Sequence, residues 1–102
     1  MREYDGCWLY ILRCADGSYY TGTTRTEPAV RVEEHNAGIY PGYTRKRRPV
    51  TLVHAGHFQA ITDVIAAERQ VKGWSRAKKE ALVRGDWTAL TLLAKRVAKP
   101  SR

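Results

Sequence analysis

The chain has 102 residues, the length of one small domain with a single hydrophobic core. Its hydrophobic content of 43% excludes a disordered chain, and no apolar run reaches the roughly 18 residues that a membrane-spanning helix needs. Eighteen Lys and Arg residues against ten Asp and Glu residues give a formal charge of +8, which favours a polyanionic partner such as nucleic acid.

The N-terminus lacks the charged, apolar and small-residue segments of a secretory signal, so we expect a cytoplasmic protein. Cys7 and Cys14 lie in one predicted strand, where a rise of about 3.3 Å per residue separates them by roughly 23 Å. A disulfide requires Cα atoms within about 7 Å of each other. Both cysteines are therefore predicted to be unpaired.

A β-hairpin is predicted near the start of the chain. Two segments rich in aromatic and branched residues are joined by a turn signal at residues 15–17. A two-residue turn would place Tyr10 and Tyr20 on opposite faces of the sheet. We predict instead a three-residue loop with Gly17 in the left-handed conformation, which pairs Tyr10 with Gly22 and puts both tyrosines on one face.

Capping residues and glycines divide the middle of the chain. Thr26 is a candidate N-cap and Gly38 a natural stop, so the first helix is expected over residues 27–37. Residues 38–49 are rich in Gly, Pro and cations, which predicts an exposed loop. A third strand is expected at residues 50–58.

Three more helices are expected after this strand. Thr62 is predicted to cap the first, which ends near residue 72. Ser75 is predicted to cap the second and Gly85 to close it, and Asp86 is predicted to cap the last.

The predicted order is strand, strand, helix, strand, helix, helix, helix. This order predicts an α+β fold in which a small three-stranded antiparallel sheet is flanked by helices. One domain is expected over residues 1–102, with a core at 7–84 and a C-terminal packing helix at 86–98.

Glu68 interrupts an apolar stripe. Val64, Ile65 and Val71 are predicted to share one face of the helix at 63–72, and Glu68 lies on that face. Carboxylates are rarely buried without a partner or a metal, because desolvation costs several kcal/mol per ion. Glu68 is therefore either a metal ligand or a rim carboxylate paired with a nearby Lys or Arg, and the residues alone leave both open.

Arg31 and His35 lie one helical turn apart, so both side chains can reach the same patch. A guanidinium fork matches phosphate oxygens, and an imidazole can move a proton near neutral pH. This pair suits phosphate chemistry, but with Glu33 and Glu34 beside it an ordinary solvated helix face is equally consistent.

Tyrosines are dense in the first half of the chain, and core packing explains most of them. The predicted register adds one feature that core packing does not explain. Tyr10 and Tyr20 would lie diagonally opposite each other with only Gly22 facing Tyr10, which leaves room for a ligand beside the rings.

The predicted loop also carries an aromatic ring followed closely by four consecutive cations. Such a cluster binds the nucleic-acid backbone through counterion release and does not read sequence. A solvated run of charges is the other interpretation. The predicted nucleic-acid-binding residues are Tyr43, Arg45, Lys46, Arg47 and Arg48.

Several motifs, taken in order, resemble those of the GIY-YIG nucleases. The resemblance covers about residues 7–84 and looks like the compact, single-domain bacterial members of that family. Several matches in a fixed order are more specific than any one of them. The matching motifs are Trp8-Leu9-Tyr10, Tyr20-Thr21-Gly22, Arg31 with His35-Asn36, and Glu68.

The resemblance implies an α+β phosphodiesterase that hydrolyses DNA with one divalent ion, Mg²⁺ or Mn²⁺. It implies that Tyr10 and Tyr20 position or deprotonate the attacking water. It further implies that Arg31 stabilises the phosphate, that Glu68 binds the metal, and that His35 lies near the nucleophile. A tyrosine has a pKa of about 10, so it needs help from a nearby cation or the metal to act as a base.

The basic surface suits backbone contacts, so selectivity for branched or damaged DNA, as in DNA repair, is expected rather than selectivity for sequence. Many family members carry an asparagine after the metal-binding helix, and this chain has none there. Two other hypotheses therefore stay open. One is a non-catalytic nucleic-acid-binding module with the same fold, and the other is a structural subunit that packs Trp74 or Trp87 on a protein partner.

Overall fold

The elements follow one another in the predicted order. The computed structural model describes residues 6–97, and the chain divides into two units between Lys72 and Gly73. The first unit holds strands β1 (Cys7–Arg13), β2 (Tyr19–Thr24) and β3 (Thr51–Phe58) with helices α1 (Pro28–Asn36) and α2 (Ile61–Lys72). The second unit holds helices α3 (Arg76–Arg84) and α4 (Trp87–Val97).

Strand β1 lies at the centre of a three-stranded antiparallel sheet with the order β2-β1-β3. Side chains on both faces of β1 are buried, and its nearly continuous apolar sequence permits this. Helix α1 packs against β1 and β3, and helix α2 packs against all three strands. The predicted α+β fold with an antiparallel sheet and flanking helices is confirmed.

The hairpin has the predicted three-residue loop. The Cys14 amide donates to the Ser18 carbonyl at 2.8 Å, and Gly17 has a φ of +86°. Tyr10 accordingly pairs with Gly22, and the Leu12 pair is Tyr20. Because side chains alternate along a strand, both tyrosines lie on one face of the sheet, as predicted.

The two helices of the first unit begin differently from the prediction. Helix α1 starts after Glu27, whose side chain makes no capping bond, because the predicted cap, Thr26, shares a 2.9 Å hydrogen bond with the Thr24 hydroxyl. Helix α2 starts at Ile61, which places Thr62 inside it. Thr26 and Thr62 are therefore wrong as N-caps.

The caps of the second unit are as predicted. The Ser75 hydroxyl accepts a bond from the Lys78 amide, and Gly85 ends α3 in the left-handed conformation. Asp86 accepts from the Ala89 amide at 3.0 Å. Residue 98 of the predicted last helix and the tail that follows lie outside the described residues.

Asn36 connects the end of α1 to the start of β3. Its side-chain nitrogen donates to the Val50 carbonyl at 3.0 Å, and its side-chain oxygen accepts from the Val50 amide at 2.7 Å. The loop between these residues includes a short 3-10 helix, Arg45–Arg47. Asn36 therefore fixes both ends of the predicted loop while α1 carries the candidate residues Arg31 and His35.

Both cysteines are buried and unpaired, as predicted. Among residues 6–97, no helix has the length and apolar character to cross a membrane. The prediction that one domain spans residues 1–102 stays a prediction.

Candidate active site

A polar cavity of about 340 Å³ lies in the first unit. Residues from β1, β2, α1, α2 and the loop after α1 line it. The structure thus brings together every residue that the sequence predicts to be catalytic, from positions far apart in the chain. The lining residues are Tyr10, Tyr20, Gly22, Thr23, Arg31, His35, Tyr40, Pro41 and Glu68.

Tyr10, His35 and Thr44 form a buried chain of hydrogen bonds beside this cavity. Tyr10 is 2% exposed and His35 is 4% exposed. The Tyr10 hydroxyl lies 3.0 Å from His35 Nε2, and His35 Nδ1 lies 2.8 Å from the Thr44 hydroxyl. Both ring nitrogens are therefore engaged, which fixes the orientation of the imidazole.

Burial sets the protonation states of this chain. Burial, and then the neighbouring Tyr20, raise the pKa of Tyr10 well above its usual value. Burial, and then the nearby Arg31 guanidinium, lower the pKa of His35 below its usual value. At neutral pH the phenol and the imidazole are consequently both uncharged.

Gly22 is required by the position of Tyr10. A Cβ atom at residue 22 would lie 2.6 Å from the Tyr10 hydroxyl oxygen and 2.7 Å from Cζ, the ring carbon that carries this hydroxyl. The Tyr10 ring thus covers the glycine and fills the space directly above it. The room expected for a ligand at this glycine is occupied by the phenol itself, and the cavity opens beside the ring.

Arg31 is held by partners on β2 and in the loop. Its Nε donates to the Thr24 hydroxyl at 3.0 Å, and its Nη1 donates to the Tyr40 hydroxyl. The Tyr40 hydroxyl donates in turn to Glu34, and this bond raises the pKa of Tyr40. The Tyr40 ring centroid lies 4.8 Å from that of His35.

Tyr40 and Glu34 are site residues that the sequence pattern alone does not reveal. The pattern places Glu34 on a solvated helix face and Tyr40 only among the dense tyrosines. The sequence feature that could have indicated Tyr40 is its position two residues after Gly38, where the helix ends. A chain that reverses direction there returns over the same helix.

Glu68 lies at the rim of the cavity. Its side chain is 23% exposed, and Lys72 Nζ lies 3.0 Å from its carboxylate. Ile65, which was predicted to share the buried stripe, is 42% exposed, because the buried face of α2 is limited to Val64 and Val71. The lysine partner agrees with the interpretation as a rim carboxylate, and the metal-ligand interpretation stays a prediction.

Glu68 is the one carboxylate among the described residues that line the cavity. Within residues 6–97 no group of three or more His, Cys, Asp and Glu side chains could enclose a metal ion. Mg²⁺ commonly binds through one or two carboxylates and completes its shell with water and substrate phosphate. A single rim carboxylate fits an ion held in that way and does not fit a closed protein cage.

The predicted nucleic-acid-binding residues separate into two groups. Tyr43 stacks on Tyr20 with ring centroids 6.1 Å apart, and the Arg47 guanidinium lies 3.9 Å from the Tyr43 centroid and pairs with Asp16 at 3.0 Å. Arg48 donates to two carbonyl groups, at 2.8 and 3.2 Å. The side chains of Tyr43, Arg47 and Arg48 hold the loop in place.

Arg45 and Lys46 form the other group. Both are exposed, and no ion pair to either is present among the described residues. They line an open depression of about 860 Å³ together with Asn36, Arg48 and Pro49. This depression is the part of the loop where cations face solvent.

In the second unit, the two tryptophans differ. Trp74 is half-buried, with Lys78 Nζ 4.3 Å from its ring centroid. Trp87 is 62% exposed and, with Thr88, Thr91 and Leu92, lines a shallow groove on α4.

Residues 6–81 match the model of the GIY-YIG catalytic domain. The chain belongs to the GIY-YIG family. Among curated relatives, the UPF0213 protein of Halobacterium salinarum is 49% identical over 74 residues, which cover 72% of this chain and 95% of that protein. The UPF0213 protein of Natronomonas pharaonis is 47% identical over 76 residues, covering 74% of this chain and 88% of that protein.

Solved structures of this GIY-YIG subgroup agree with the fold. The solution structure of a UPF0213 protein from Bacillus halodurans is 39% identical, has a TM-score of 0.52, and covers 87% of this chain and 97% of that protein. A solution structure from E. faecalis is also 39% identical, with a TM-score of 0.56 and coverage of 83% and 90%. The family is a nuclease-type family, and the names of these relatives state no activity.

Proposed function

We propose that this GIY-YIG protein is a divalent-metal-dependent endonuclease that hydrolyses DNA phosphodiester bonds and selects its substrate by structure. The observation that carries the proposal is the polar cavity lined by Tyr10, Tyr20, Arg31, His35 and Glu68. A hydroxyl, an imidazole, a guanidinium and a carboxylate together supply what phosphodiester hydrolysis requires.

In the proposed reaction, Tyr10 and His35 act as one proton acceptor. When His35 is in the tautomer that donates from Nδ1 to Thr44, the neutral phenol donates to Nε2, so the phenol oxygen lone pairs can accept a proton from a water in the cavity. As that proton arrives, the phenol proton passes to His35. No free phenolate forms, which agrees with the raised pKa of Tyr10. Tyr20, whose ring centroid lies 6.4 Å from that of Tyr10, orients the water.

Arg31 and Glu68 are assigned to the phosphate. The guanidinium faces the cavity and stabilises the negative charge that develops on phosphorus. Glu68 would hold the divalent ion, Mg²⁺ or Mn²⁺, which when bound supplies further charge neutralisation to the phosphate oxygens. Lys72 would then release the carboxylate that it now pairs with.

Arg45 and Lys46, which line the open depression and not the cavity, are assigned to the DNA backbone away from the reacting phosphate. Contacts of this kind neutralise phosphates without reading bases, which favours recognition of branched or damaged DNA by shape. We further propose that the chain acts as a single cytoplasmic domain over residues 1–102.

A second candidate function is a non-catalytic nucleic-acid-binding module. The observation in its favour is the Glu68–Lys72 pair, since a carboxylate neutralised by lysine at 3.0 Å is what a rim position without metal would show. This candidate predicts salt-sensitive binding with no metal requirement.

The test is cleavage of supercoiled plasmid and of labelled branched DNA by wild type and by Arg31→Ala, with Mg²⁺, Mn²⁺ or chelator. We expect metal-dependent cleavage that falls by about a hundredfold or more in the variant, as removal of an electrostatic stabiliser does. Arg13→Ala is the matched control, because Arg13 is exposed and does not line the cavity. Circular dichroism confirms that each variant is folded.

Cleavage that is equal in wild type and Arg31→Ala would contradict the nuclease proposal. Binding of the same DNA without cleavage, under every metal condition, would establish the binding-module function instead.

A further inference from the structure

Arg31 and Glu34 lie one turn apart on α1 and form an ion pair, but no direct hydrogen bond joins them. Arg31 Nη1 is 3.6 Å from Glu34 Oε1, which is beyond hydrogen-bond range. The Tyr40 hydroxyl lies between them, accepting from Nη1 and donating to Oε1. One neutral phenol therefore bridges the ion pair between a cation that lines the cavity and a carboxylate on the same helix.

We propose that Tyr40 is a positioning residue that keeps Arg31 available to the substrate phosphate, because its hydroxyl takes the place of a direct hydrogen bond between Arg31 and Glu34. The inference rests on the proposed function and assigns no chemical step to Tyr40. The proposal predicts that Glu34 and the substrate phosphate compete for the Arg31 guanidinium.

The geometry of Arg31 explains why the hydroxyl is needed. Residues three apart on a helix readily form an ion pair, and a guanidinium fork matches a carboxylate as well as it matches a phosphate. A direct hydrogen bond to Glu34 would compete with the 3.0 Å bond that Arg31 Nε donates to Thr24 on β2. The guanidinium fork would then face Glu34 instead of the cavity.

Two further contacts hold Tyr40 in this place. Its ring lies against the buried His35, with centroids 4.8 Å apart, and the Arg31 guanidinium carbon is 5.4 Å from the Tyr40 ring centroid. The His35 ring is itself fixed by Tyr10 and Thr44. The hydroxyl of Tyr40 is thus supported by a tilted ring contact with a histidine whose own ring is held at both nitrogens.

The test is a pair of variants, Tyr40→Phe and the double variant Tyr40→Phe with Glu34→Gln. The phenylalanine keeps the ring contact with His35 and removes the hydroxyl. We expect cleavage to fall about tenfold, which corresponds to the loss of one hydrogen bond to a charged group. The double variant removes the competing charge as well, so cleavage should return to within about threefold of wild type. Tyr19→Phe is the matched control, because Tyr19 does not line the cavity.

A second measurement, hydrogen exchange at Arg31, does not depend on catalysis and is made alongside the cleavage rates. The Arg31 Nε–H signal in a ¹⁵N-resolved NMR spectrum should exchange slowly with water in wild type, because Thr24 accepts its bond. We expect fast exchange in Tyr40→Phe and recovery in the double variant.

Unchanged exchange and unchanged cleavage in Tyr40→Phe would overturn the inference, as would a double variant no better than the single one. If wild type cleaves no DNA, the proposed function fails and the exchange measurement alone decides whether the Tyr40 hydroxyl takes the place of a direct hydrogen bond between Arg31 and Glu34.

Discussion

The two sides of the cavity differ in how firmly they are held. On one side, Tyr10 and His35 are buried and joined by hydrogen bonds that continue to Thr44. On the other side, Glu68 is at the rim with one exposed partner, Lys72. In the proposed reaction, the groups assigned to proton transfer are preorganised by the core, whereas the group assigned to the metal ion stays accessible and is paired with an exposed lysine.

This comparison predicts that Glu68 contributes much to activity and little to stability. Glu68→Gln should lower cleavage by about a hundredfold or more. The free energy of unfolding of Glu68→Gln should change by less than about 1 kcal/mol, because an i,i+4 helical ion pair with one exposed partner contributes only about 0.3–0.5 kcal/mol. Single-turnover cleavage and urea unfolding measure the two effects.

Lys72→Gln is the matched control for Glu68→Gln. It removes the same ion pair but leaves the carboxylate, so cleavage should remain near the wild-type rate. Equal decreases in cleavage in the two variants would show that the pair is structural and that Glu68 holds no metal.

The buried side of the cavity predicts a specific pH dependence. His35 accepts a proton only when it is neutral, so cleavage should decline by about tenfold per pH unit below the lowered pKa of His35 and be level above about pH 6.5. Stability should decline as the pH falls from the usual histidine pKa of about 6.5 to the lowered pKa of folded His35, because the unfolded chain binds a proton that the folded imidazole resists, and it should be level below that range.

Rates and unfolding midpoints between about pH 5 and 8 test this prediction. His54→Gln is the control, because burial also lowers the pKa of His54 but His54 does not line the cavity. An acid limb of the cleavage rate that shifts in His54→Gln would break the assignment to His35.

The smallest effect is expected at the exposed cations of the loop. Replacing Arg45 and Lys46 with Gln should weaken DNA binding by a few-fold and reduce the slope of log K against log salt by up to about 2, since each cation neutralises one phosphate. Replacing Arg47 should instead destabilise the loop, because Arg47 packs on Tyr43 and pairs with Asp16. Fluorescence anisotropy with labelled DNA at several salt concentrations distinguishes lost phosphate contacts from a destabilised loop. An unchanged slope of log K against log salt in the Arg45 and Lys46 variant would show that these cations do not contact DNA.

Local chemistry made part of this structure predictable from the sequence. The hairpin register follows from a turn in which only Gly17 tolerates the left-handed conformation, so the shared face of Tyr10 and Tyr20 could be inferred. The caps at Ser75 and Asp86 follow equally from local bonds. The motif residues could be placed in one site because the order of several matches identifies the family.

Contacts and burial that the sequence pattern does not show decided what could not be predicted. Thr26 failed as a cap because its hydroxyl is bonded to Thr24, and Ile65 is exposed because the buried face of α2 is narrower than its apolar stripe. Tyr40 was missed because its role exists only when the loop lies over α1. The internal use of Arg47 and Arg48 depends likewise on partners distant in the chain.

The Asn36 side chain has a consequence for engineering new substrate preferences. Because it fixes α1 to β3 at Val50, the intervening segment is a closed insert whose replacement need not move Arg31 or His35. A graft that keeps Tyr40 and Thr44, which contact the site, could exchange the stretch around residues 45–46 for sequences from other family members. The cavity residues would then be combined with a different recognition loop, in the way that other rigid scaffolds carry variable loops.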